Sequence, residues 1–169
     1  MRRMVLGLLG VCLALLGCAL DKEDTLRAEL TRWLALEETL EFSSRPSCTA
    51  AVFKLKDPVI RGNVAKATTL DMGLRYLQSG HQVAFLLPDT SPNSVSEQVM
   101  TADLHHGLAI LSNGIGPATR CLSDRGGLAF YAAIMSPEAV LIFDPGGNAL
   151  TLVHVQGGLP LAIFLRGTV

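Results

Sequence analysis

The sequence contains no G-x-S-x-G, no H-E-x-x-H, no Walker loop and no G-x-G-x-x-G at a strand-to-helix turn. The familiar constellations for acyl transfer, zinc proteolysis and phosphate or dinucleotide binding are therefore missing. No C-x-x-C pair supports thiol redox chemistry. Basic residues form no patch, so nothing marks a nucleic-acid footprint. There is no internal repeat and no low-complexity tract, and the longest apolar run falls short of the roughly 20 residues that cross a bilayer as a helix. About 150 residues follow that run, enough chain for one ordinary domain with a sizeable core.

What is present begins at the N-terminus. Arg2 and Arg3 precede an unbroken apolar run, Met4 to Leu16, followed by Gly17 and Cys18. That is the order of parts in a secretory signal, although the A-x-A ending of an ordinary one is replaced by Leu15-Leu16-Gly17-Cys18. This boundary resembles the lipobox of bacterial lipoprotein precursors. The resemblance covers residues 1–18 and implies cleavage before Cys18, diacylglycerol on its thiol and acylation of the new amine. Two or more chains anchor stably where one is marginal. Ala19 after the cysteine, rather than Asp, is similar to lipoproteins directed to the outer membrane of Gram-negative bacteria. The implied location is the periplasmic face of that membrane, or the outer face of the cytoplasmic membrane in a single-membrane cell.

Three regions follow: 1–17 a signal peptide, 18–24 the lipidated cysteine and a short tether, 25–169 a single domain. Loss of Arg2 and Arg3 takes the 14 Lys plus Arg to 12 against 15 Asp plus Glu, a formal charge of −3. Three to six residues separate Cys18 from the first expected helix, and at about 3.6 Å each they reach some 10 to 20 Å, so the domain works close to its membrane. Of the four cysteines, Cys12 leaves with the signal and Cys18 carries lipid. Cys48 and Cys121 are left either to pair in an oxidising compartment, closing a loop worth roughly 4 kcal/mol in the chain-entropy model, or to stand as two separate buried thiols.

The apolar spacing of Leu26, Leu30, Trp33, Leu34 and Leu40 predicts an amphipathic helix within Asp21 to Phe42. Ala50 to Leu55 reads as a strand. Asp57-Pro58 opens a helix ending near Gly80, Val83 to Leu87 is a second strand, and Ser94-x-x-Glu97 caps a helix that stops at Asn113-Gly114. Leu128 to Met135 reads equally as short helix or strand. Ala139 to Phe143, Leu150 to Val155 and Leu161 to Leu165 are separated by Asp-Pro-Gly-Gly-Asn and Gly-Gly turns, which predicts a three-strand antiparallel meander. The expected fold is α+β, with about three main helices on a sheet of about five strands.

Asp103 and His106 are the one pairing with catalytic potential, since a carboxylate one helical turn from an imidazole can orient it for base work. Glu97 and His154 are more distant candidates, and His105 and His106 point about 100° apart, too far to share a metal easily. No cofactor or metal is expected. Two functions follow: a non-catalytic assembly, scaffolding or regulatory module with a membrane-proximal protein partner, or a small envelope hydrolase or ligand-binding enzyme centred on Asp103 and His106.

Overall fold

A computed structural model describes residues 20–167. The signal segment 1–17 and Cys18 lie outside the described residues. In chain order the elements are α1 (Glu23–Leu30), β1 (Leu36–Arg45), β2 (Cys48–Leu55), β3 (Ala65–Ala67), α2 (Leu70–Gln78), β4 (Val83–Phe85), α3 (Pro92–Ala102) and α4 (Leu104–Ala109). A π-helical turn (Ile110–Ile115) and a 3-10 turn (Pro117–Cys121) then lead to α5 (Asp124–Met135), β5 (Val140–Asp144), β6 (Ala149–Gln156) and β7 (Leu159–Gly167). The strands form one sheet in the order β1-β2-β7-β6-β5-β4-β3, in which only β3 and β4 run parallel.

The α+β class and the C-terminal antiparallel meander are as the sequence predicts, while the sheet has seven strands rather than five and five α-helices rather than three cover it. The two additional strands are β1 and β3. Strands β2, β5, β6 and β7 are buried along most of their length because both sheet faces are covered. On one face, Leu26, Leu30, Trp33 and Leu34 pack over Phe53, Ala162 and Phe164. On the other, Leu77, Val95, Val99, Phe130 and Ile134 pack over Val52, Leu141, Leu152 and Ile163. Fully burying each such aliphatic or aromatic side chain stabilises the fold by roughly 1.5–3 kcal/mol.

The helix expected over Asp21 to Phe42 stops at Leu30, and Leu36 to Arg45 is instead the edge strand β1. Leu26, Leu30, Trp33 and Leu34 do share a buried surface, but beyond them Thr39 and Phe42 favour extended backbone, and the segment pairs with β2 through Arg45. The helix expected after Asp57-Pro58 is also shorter. Asp57 closes a local turn by accepting from the Val59 N–H at 3.0 Å and pairing with Arg61 at 2.6 Å. Gly62 then takes φ +67, a left-handed conformation incompatible with helix continuation. The helix begins only at Leu70, where Thr69 accepts from the Met72 N–H. Likewise α3 opens at Pro92 under a Ser91 cap rather than at Ser94, with Pro at its first position.

Cys48 and Cys121 are disulfide-bonded, with Cα atoms 6.1 Å apart. The bond ties the start of β2 to the 3-10 turn that precedes α5, and so fixes where α5 enters the helical layer.

Candidate functional site

The single long helix expected through Asp103 is broken at that residue. Asp103 has extended backbone (φ −143, ψ 90), ends α3 and caps α4. Its Oδ1 accepts the His106 N–H at 3.2 Å, and its Oδ2 lies 2.9 Å from His106 Nδ1. A carboxylate can only accept, so Nδ1 is the donor in that bond. Gln78 on α2 donates to the same Oδ2 at 3.2 Å. These bonds, the His106 imidazole first, hold the Asp103 carboxyl well below its ordinary value, at about 2. The expected Asp103–His106 pair thus exists, but the carboxylate is engaged as a helix cap and as a tie between α2 and α4. Neither residue lines the two cavities described below. His105 is exposed and meets His106 only edge to face, with ring centroids 5.1 Å apart.

His154 is half-buried on β6, and its Nδ1 is buried with no hydrogen-bond partner among the described residues. Burial pushes its pKa down, opposed by the nearby charge of Glu138. Glu97 is exposed and accepts from Asn93 at 2.9 Å in its own helix. Among the described residues no group of three His, Cys, Asp or Glu side chains is placed to hold a metal ion.

The larger cavity is an open groove of about 550 Å³ on the sheet face that carries α5, within the 300–1,000 Å³ range of small-ligand sites. Val52 and Leu161 form its apolar floor, Arg125 to Ala129 of α5 one wall, and Glu38 to Glu41 of β1 the other. Three large apolar side chains from different elements, Leu40, Leu128 and Leu159, surround it while 44%, 72% and 36% exposed. The shape of β1 makes this opening. Its register with β2 slips between Leu36 and Thr39 and again between Thr39 and Glu41, so β1 bulges where it walls the groove. Glu41 turns inward, and its carboxylate accepts from the Ser123 N–H at 2.5 Å and the Ser123 hydroxyl at 2.6 Å, pinning the start of α5 to β1. Gly126 leaves room for this carboxylate, which would have to shift to admit a Cβ there. A second cavity, about 350 Å³, lies between Glu29, Arg32 and Trp33 and the turn Gly62–Val64.

The N-terminal end of the described chain is fixed by Arg166 of β7. Its guanidinium pairs with Asp21 at 2.9 Å and Glu29 at 3.2 Å, donates to Gly147 O at 3.0 Å, and stacks over Phe164 at 5.0 Å. Sequence reasoning found neither this clamp nor the groove, because their parts are far apart in the chain and no local spacing signals them. No protein-family model matches the chain, and no curated protein or solved structure matches it.

Proposed function

We propose that this chain is an envelope lipoprotein, anchored through Cys18 to the periplasmic face of the outer membrane, that acts without catalysis as a membrane-proximal assembly module. The observation that carries the reading is the Arg166 clamp. With Asp21 tied to the end of β7, only two residues, Ala19 and Leu20, separate the body of the domain from Cys18, and the three Cα-to-Cα steps reach about 11 Å. A domain held that closely works against the lipid surface. The groove lies apart from the anchored end, on the opposite sheet face near Leu159, about 23 Å along β7 from Arg166. The Cys48–Cys121 disulfide is compatible with an oxidising compartment.

Intact mass spectrometry of the full-length chain expressed in a bacterium tests the anchor. The expected mass lacks residues 1–17 and carries lipid, and the Cys18→Ala chain is neither cleaved nor lipidated. An unmodified N-terminus on the parent chain sinks the reading. A photo-reactive side chain at Leu40, beside the groove, is expected to give a discrete protein adduct in cells, whereas one at exposed Val59 is not. Equal labelling from both positions removes the assembly role while leaving the anchor standing.

A further inference from the structure

The second cavity, about 350 Å³, lies at the anchored end of the molecule. Glu29 lines it, and the guanidinium that holds Glu29 at 3.2 Å also holds Asp21 at 2.9 Å. Val64 and Gln82, which also line it, immediately precede β3 and β4, whose first residues pair as Ala65 with Val83. Val83 in turn pairs with Phe143, beside the β5–β6 turn that Arg166 grips through Gly147 O. Cys18 is three Cα-to-Cα steps from Asp21, so lipid on it brings a bilayer's headgroups to this end of the sheet. Arg32 lines the cavity, is exposed and forms no ion pair among the described residues. The side-chain amides of Asn63 and Gln82 are likewise without a hydrogen bond among the described residues. Beside these free donors, Asp21 and Glu29 share the single charge of Arg166, so that cluster keeps a net negative charge.

We infer that this cavity takes the phosphoethanolamine headgroup of a lipid in the membrane that holds Cys18, with the phosphodiester on Arg32, Asn63 and Gln82 and the ammonium on Glu29. Guanidinium and amide N–H groups donate to phosphate oxygens. Arg166 reaches both Glu29 oxygens through one nitrogen, which leaves that carboxylate lone pairs for a primary ammonium. A quaternary ammonium is recognised by aromatic faces instead, and the cavity's one aromatic residue, Trp33, is only 6% exposed. The volume falls within the 300–1,000 Å³ range of small-ligand sites. A weak contact suffices, because a short tether presents the headgroup at an effective concentration on the order of millimolar. The headgroup is then a second attachment beside the tether, which turns this end of the sheet toward the bilayer. The lipid as source rests on the anchored reading proposed above.

The test uses a chain starting at residue 18 with the disulfide intact, so that Cys18 is its one free thiol, coupled to a maleimide lipid in nanodiscs. This chemical anchor stands in for the natural one. A chain left without lipid in cells therefore sinks the anchored reading, whereas the nanodisc measurement judges the cavity alone. Nuclear magnetic resonance follows the side-chain amides of Asn63 and Gln82. Both signals should shift in discs of phosphatidylcholine mixed with phosphatidylethanolamine, relative to discs of phosphatidylcholine alone. Inorganic phosphate in millimolar excess, added to the uncoupled chain, should shift neither. Arg32→Glu should raise the phosphatidylethanolamine fraction needed for half the shift at least about tenfold. Arg125→Glu, on the opposite sheet face, should respond as the parent does. Both replaced side chains are exposed, so the rest of the spectrum should report an unchanged fold, and Arg32→Gln replaces Arg32→Glu if that variant is perturbed. No shift with phosphatidylethanolamine, an equal response to phosphate alone, or a parent-like response from the Arg32 variant overturns the inference. So does a site that prefers phosphatidylcholine.

Discussion

Replacing Asp103 with Asn keeps the shape and the acceptor that caps α4 but removes the charge, so it isolates the electrostatic part of the α2–α4 tie. The carboxyl is depressed from 3.8 to about 2. A depressed carboxylate contributes stability that is fully present above its unfolded value and lost as pH falls toward its folded value. At 1.36 kcal/mol per unit the shift corresponds to about 2.4 kcal/mol. The side chains of Asp103 and His106 are 15% and 13% exposed. Solvent screening lowers the expected contribution to about 1–2 kcal/mol. Urea unfolding of the disulfide-intact protein, followed by circular dichroism, should therefore show Asp103→Asn destabilised by that amount at pH 7. The gap should stay constant down to about pH 5, close between about pH 4 and 2, and vanish below. Asp103→Ala should lose roughly a further 1 kcal/mol at every pH, because the cap itself is gone. A gap between parent and Asn variant that does not change with pH refutes the electrostatic reasoning.

Gly107→Ala places a methyl group against the Met100 backbone where α4 meets α3, so the helices must separate. Thermal melting should show at least about 2 kcal/mol of destabilisation, and a silent substitution contradicts the packing described. Cys48→Ala with Cys121→Ala removes the constraint on a separation of 73 residues, and denaturant midpoints should fall by about 4 kcal/mol of stability. His154 has a lowered pKa from burial, so its neutral form is favoured in the folded state. Stability should rise with pH from its folded value up to about 6.5, and His154→Phe should remove that slope from the unfolding profile.

The passages legible in sequence are those buried on both sides. Leu150 to Val153, apolar but for the β-branched and buried Thr151, and Leu161 to Leu165 read as strands because two cores demand such runs there. The adjoining turn sequences then fixed their order. Strand β1 is the opposite case: none of its ten residues is buried, its double bulge breaks the alternation of sides, and its paired glutamates imitate a helical solvent face. Position at the sheet edge is a tertiary property that Leu36 to Arg45 do not announce. Asp103 and His106 were legible as a pair because three-residue spacing is local. Their use as a helix cap depends on a backbone break, which spacing alone does not reveal. The groove joins residues 38–41, 125–129 and 156–161 and carries no local signal at all.

The strand order also bears on how the molecule comes into being. The last described strand, β7, is inserted between β2 and β6, so it joins the early hairpin β1–β2 to everything made after it. A chain emerging N-terminus first, from a ribosome or a translocation pore, therefore holds two halves of a sheet with no seam until residues 159–167 arrive. Until then the inner edges of β2 and β6 remain open, and closure of loops this long is slow. Without the last described strand, the hairpin β1–β2 would be held to the other half of the sheet chiefly by the Cys48–Cys121 disulfide.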